Sequence, residues 1–270
     1  MRNILVHADD GPGMTVRLES ALAIGRRQRS HVNLVISSPF QQFIATDPFG
    51  GMYLAAEQLS KAQQADDALA VRLRAELERE DVPWDVSVSD GDVVSTLALA
   101  AALADLAIVS LGTADRRRSF TPPMMAGDIA MAVPVPVLAI PEPCGPLDLD
   151  APVMVAWNGS PQAAHAIRAA VPLMADARNV LLVSVGEADG QVAADDALRY
   201  LSRHDIHAEL REVACGAGTV EETLERSARD LGVGMIVMGA FGHTRLRETI
   251  FGGVTRYMLE SAPVPLLVMH

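Results

Sequence analysis

The same ordered series of signals runs through this chain twice, and a repeat of that length leaves few architectures open. Each copy begins with a short apolar run ending in a turn: Ile4-Leu5-Val6 before Asp9-Asp10-Gly11, and Val153-Met154-Val155 before Asn158-Gly159-Ser160. Each then carries Gly-x-Val-x-x-Thr-Leu, at Gly91 to Leu97 and Gly218 to Leu224, a pattern that predicts a helix start. Next come the aliphatic pairs Ile108-Val109 and Ile236-Val237, and each copy closes with Pro-Val-Pro before a second aliphatic run, at Pro134 and at Pro263. Short aliphatic runs alternating with amphipathic stretches predict strand-helix alternation, which builds a parallel sheet with helices on both faces.

The expected architecture is therefore α/β, with two tandem Rossmann-like lobes, each a five-stranded, mainly parallel sheet covered on both sides. Strands are predicted near 3–8, 32–37, 84–89, 106–111 and 136–140, and again near 152–157, 179–185, 207–213, 234–239 and 265–269. Prolines ahead of each closing run fit only a strand start or a sheet edge, so this last strand is expected to be peripheral. The stretch Pro141 to Pro152 holds four prolines and breaks regular structure. It places a connector at 143–151 between lobes of residues 1–142 and 152–270. The first lobe is longer by an insertion from Pro39 to Tyr53, read as a packed loop. The stripe Leu59, Ala62, Leu69, Leu73 and Leu77 after it reads as core.

The formal charge of −12 argues against a nucleic acid partner, whose backbone is gripped by clustered Lys and Arg. It leaves room for a small phosphate ligand held by backbone amides. No apolar run approaches the roughly 20 residues that span a bilayer, and the start of the chain is unlike a signal peptide, so a cytoplasmic, membrane-free protein is expected. Cys144 and Cys215 lack metal-ligand spacing and are expected to remain thiols.

In open parallel sheets ligands sit beyond the carboxyl ends of the strands. After the predicted fourth strand of the second lobe, ending in Met238, the chain carries Gly239, Gly242 and Gly252, and the last of these opens a helix. Glycines let amides approach an anion, and the helix start adds free N–H groups. This Gly-x2-Gly-x9-Gly spacing, with the strand before it and the closing Ala262 to Val268, resembles the nucleotide loop of the universal stress protein family. The resemblance implies ATP or a related adenine nucleotide, with Mg2+ as a companion of its phosphates, bound in the second lobe of a stress-response binding or signalling module. Carried over by position, it implies that Gly239, Gly242, Gly252, Val254 and Thr255 surround the phosphates. Ala156, Trp157 and Asn158 would lie near adenine and ribose, and Val185 would wall the base. Arg245 adds a side chain able to reach phosphate. Gly253 stands where the family has Ser or Thr, and Asn158 where Asp is usual. The same resemblance implies pairing of closing strands into an internal pseudo-dimer, with further homodimerisation as an option.

The first lobe lacks the spacing: after Gly112 no glycine follows until Gly127, and Arg116-Arg117-Arg118 reads as a solvated basic run. Ser160 reads as a helix cap ahead of Pro161 rather than a nucleophile. With no GxxxxGK[ST], GxGxxG or HExxH pattern, no catalytic constellation is expected. The rival readings are a nucleotide-free scaffold and a weak ATP hydrolase.

Overall fold

The computed structural model describes residues 1–38, 52–111, 125–186, 190–241 and 253–270. Gly242, Arg245, Gly252, Arg116 to Arg118 and residues 39–51 of the predicted insertion lie outside them. Met52 and Tyr53 begin a helix.

In the first lobe the strands are β1 Asn3–Ala8, β2 His31–Ser38, β3 Trp84–Asp90, β4 Leu106–Ser110 and β5 Val137–Ile140. The helices are α1 Met14–Gln28, α2 Met52–Leu77, α3 Val93–Ala100 and α4 Met125–Ala132. The second lobe repeats this with β6 Val153–Ala156, β7 Val180–Val185, β8 Ala208–Val213, β9 Met235–Gly239 and β10 Leu266–Met269. Its helices are α5 Pro161–Met174, α6 Ala194–Ser202, α7 Val220–Asp230 and α8 Gly253–Ser261.

The Gly-x-Val-x-x-Thr-Leu repeats start helices for a visible reason. In α3 the Asp92 carboxylate accepts from Ser95 N at 2.9 Å, and in α7 Thr219 and Glu222 form a reciprocal capping box. Ser160 caps α5 by accepting from Ala163 N at 3.2 Å, with Pro161 in the first turn.

All ten strands form one sheet in the order β3-β2-β1-β4-β5-β10-β9-β6-β7-β8. Within each lobe the pairing is parallel, and the registers match: Ile4 sits beside Leu106 as Val153 sits beside Met235. The lobes join where β5 and β10 run antiparallel, with Leu138 opposite Leu267. Each closing strand is thus the outermost of its own lobe, as its prolines predict, and the two pair with each other as the resemblance implies, which makes them central in the joint sheet. Pro136 and Pro265 lie just ahead of the strands, so no N–H inside them is lost, and their carbonyls still accept from Ala107 N and Ile236 N at 3.0 and 2.9 Å. The true edges are β3 and β8, where half-buried positions alternate with exposed Asp85, Glu209 and Arg211.

Period-two alternation sorts the strand side chains onto two cores. Ile4, Val6, Ala8, Val153, Val155 and Trp157 pack on the face covered by α1, α2, α5 and α6. Leu5, Met154, Ile236 and Met238 pack on the face covered by α3, α4, α7 and α8. In α2 the stripe Leu69, Leu73 and Leu77 is buried, with Leu59 and Ala62 half-buried. The connector is tied down: Leu147 and Leu149 are buried, and Leu147 N donates to the buried Ser20 hydroxyl at 2.9 Å. Across the lobes Arg27 of α1 bridges Asp150 and Asp176 at 3.1 and 3.0 Å, and Gln28 donates to the Pro172 carbonyl at 2.7 Å.

Candidate functional site

The strand order of the second lobe reverses between β6 and β9, so their carboxyl ends bound a crevice. The chain around it is held unusually close. A Cβ on Gly239, the last residue of β9, would stand 2.4 Å from Ala163 N and from the Gln162 carbonyl carbon. Glycine there lets the first turn of α5 rest directly on the strand end. Gly190 plays a similar part over the β6–α5 turn, where an added Cβ would come within 2.0 Å of the Gly159 carbonyl carbon. Gly190 N and Val192 N donate to the Asn158 and Gly159 carbonyls, both at 3.0 Å. Residues 190–192, ahead of α6, therefore lie across the first turn of the lobe.

The sequence-predicted residues divide between the two faces. Ala156, Val185 and Val254 are half-buried apolar groups fringing the core beneath α7 and α8, to which the buried Met238 belongs. Thr255, in the first turn of α8, is also buried. Trp157 faces the opposite way, buried among the side chains of the α5 and α6 face, with its indole N–H unpartnered. Its ring stands apart from Ala156 and Val185 because consecutive strand residues alternate sides. Asn158 is exposed, and its Oδ1 accepts from Ser160 N at 3.1 Å, closing a local turn. Gly253 begins α8 exposed, with nothing among the described residues within 4 Å of a would-be Cβ. Helix α8 is braced to α7 by Tyr257, whose hydroxyl donates to Glu225 at 2.5 Å. That bond raises the Tyr257 pKa and lowers that of Glu225.

Three features escaped the sequence reading. Phe241, two residues after β9, adopts a left-handed backbone (φ 60°) and packs its ring 5.8 Å from that of His270. Gln162 has a buried, unpartnered Oε1 in the first turn of α5. Neither residue type signals such a role by itself. The third is a charged cluster in the first lobe. Arg17, fully buried, donates through Nη2 to Asp9 Oδ1 at 2.6 Å and through Nη1 to the Ser110 hydroxyl. Ser110 donates to Glu142 Oε1 at 2.9 Å. Buried His7 lies with Nδ1 3.6 Å from Asp9 and neither ring nitrogen hydrogen-bonded. Its pKa falls to about 4, chiefly through desolvation, with Asp9 opposing and Arg17 assisting. The neighbouring Arg17 and His7 outweigh burial at Asp9 and hold its carboxyl below the ordinary range.

The model of the family described as Universal stress protein family matches residues 151–270. Residues 151–270 belong to the universal stress protein family. A curated relative, universal stress protein Slr1230 of Synechocystis sp. (strain ATCC 27184 / PCC 6803 / Kazusa), is 32% identical over 59 residues. That stretch is 22% of this chain and 21% of the relative, about a fifth of its length. The two-lobe fold extends over the whole chain. A universal stress protein from Archaeoglobus fulgidus DSM 4304 superposes with a TM-score of 0.72 at 17% identity, covering 99% of this chain and 95% of that one. A putative universal stress protein from Pseudomonas aeruginosa UCBPP-PA14 gives 0.60 at 17% identity, covering 100% and 93%. Among the described residues no helix is long and apolar enough to cross a membrane.

Proposed function

We propose that the second lobe binds ATP or a related adenine nucleotide and that the chain works as a nucleotide-responsive binding module in a stress response. The observation that carries this reading is the placement of half-buried Ala156 and Val185 at the carboxyl ends of β6 and β7 and of Val254 at the start of α8, all three fringing the same core. Partly exposed apolar groups beside a helix start suit a ligand with a flat apolar part and an anionic tail. Gly239, Gly242, Gly252 and Thr255 surround the phosphates in this proposal, with Arg245 reaching toward them. Among the described residues no group of three or more His, Cys, Asp or Glu side chains is placed to hold a metal. A Mg2+ ion would therefore enter through phosphate oxygens. Ala156, Val185, Met238 and Val254 carry no group able to move a proton, which favours binding over turnover. Two lobes fused through β5 and β10 act as the internal pseudo-dimer, and homodimerisation is left to the exposed surface.

A nucleotide-free scaffold is the second reading, favoured by Asn158, whose Oδ1 is engaged with Ser160 N. Chromatography of what the purified, denatured protein releases separates the two. Released adenine nucleotide, or a saturable rise in melting temperature on adding ATP, supports binding. A clean blank with no such rise supports the scaffold, and multiple turnovers of ATP would contradict a pure binder.

A further inference from the structure

The first lobe treats its strand ends differently from the second. Because Ile4 and Leu106 match Val153 and Met235 in register, Ser110 corresponds to Gly239, Arg17 to Ala166 and Asp9 to Asn158. A hydroxyl, a guanidinium and a carboxylate thus stand where the second lobe has no charge. A buried guanidinium needs partners for its donors, and Arg17 has Asp9 and Ser110 with Nε left over. The serine hydroxyl has one proton. Accepting from Arg17, it turns that proton outward and gives it to Glu142.

We propose that the strand-end crevice of the first lobe is a carboxylate-binding site and that Glu142, the last residue before the connector, is its resident ligand. Gly13 shows how the place is shaped for it. Its backbone is ordinary (φ −81°), so conformational freedom does not demand glycine, yet a Cβ would stand 2.0 Å from Glu142 Oε1 and 2.8 Å from Ser110 Oγ. The carboxylate occupies the space a side chain would fill. The same connector continues into buried Leu147, whose N–H donates to Ser20 of α1. Glu142 therefore latches the connector onto the first lobe, and an external carboxylate can take its place only when it is gone.

Thermal melts of the full chain test this, with sodium formate compared against sodium chloride at matched ionic strength. Glu142→Ala is expected to melt below the parent and to recover saturably with formate but not chloride, as mass action requires for a ligand of the folded state. The parent is expected to respond alike to both salts, and Glu142→Ala combined with Ser110→Ala to lose the recovery. A Glu142→Ala protein that melts like the parent would overturn the proposal. So would formate acting no better than chloride, or equally well without Ser110. Should Glu142→Ala not fold, Gly13→Ala displaces the carboxylate instead. Glu142→Gln is then expected to lower the melting temperature of the parent but not of Gly13→Ala, and equal, additive drops would contradict the assignment.

Discussion

At Gly253, which opens α8, no described residue lies within 4 Å of where a Cβ would stand. Gly253→Ser is expected to leave the melting temperature unchanged and to tighten ATP about tenfold, the worth of one hydrogen bond to a charged group. Isothermal titration of both proteins checks this, and equal affinities would remove the phosphates from that helix start. His7 yields a prediction of opposite character. Its pKa of about 4 in the folded protein lies below the ordinary 6.5, so the neutral ring contributes stability in full above pH 6.5, and that contribution drains away as the pH falls toward 4. Asp9, held below its ordinary 3.8, loses its contribution only at still lower pH. Melting temperature should therefore decline between pH 6.5 and 4 in the parent and decline less in His7→Leu. Identical slopes would place the titration elsewhere.

At the scale of elements, Gly239→Ala is expected to be costly, because the new Cβ meets backbone atoms of Gln162 and Ala163 that cannot rotate away. About 1–3 kcal/mol is typical of such overpacking, read as a lower denaturation midpoint. An unchanged midpoint would show that α5 does not rest on β9. Strands and cap-started helices were legible because each is written locally: the aliphatic runs fell within a residue or two of the observed strands, and Asp92, Ser160 and Thr219 sit where capping signals stand. The outer position of the closing strands within each lobe was legible from their prolines, whereas their pairing followed from the family resemblance alone, because no local signal in β5 or β10 names a partner strand. The Arg17 cluster was illegible for another reason. It gathers Asp9, Ser110 and Glu142 from distant parts of the chain, and no spacing rule connects them. The sidedness of Trp157 was implicit in strand alternation, since Val153, Val155 and Trp157 share a face.

The whole molecule is one sheet with its seam in the middle. Leu138 and Leu267 face each other across that seam, both fully buried. Leu267→Ala is expected to cost about 2–5 kcal/mol and to lower a single shared transition. Two separate calorimetric transitions would mean that the lobes melt independently. Joined in this way, the lobes hold their strand-end crevices apart, one filled by charges of its own chain and the other fringed by apolar groups, where the proposed nucleotide would sit. The most direct trial of this division is a melting-temperature titration with ATP on the parent and on Val254→Glu, which sets a carboxylate at the start of α8. A saturable rise in the parent that is lost in the variant, whose melting temperature without ATP stays close to that of the parent, is the predicted outcome. A parent protein indifferent to ATP, or a variant that responds equally, would contradict a nucleotide site in the second lobe.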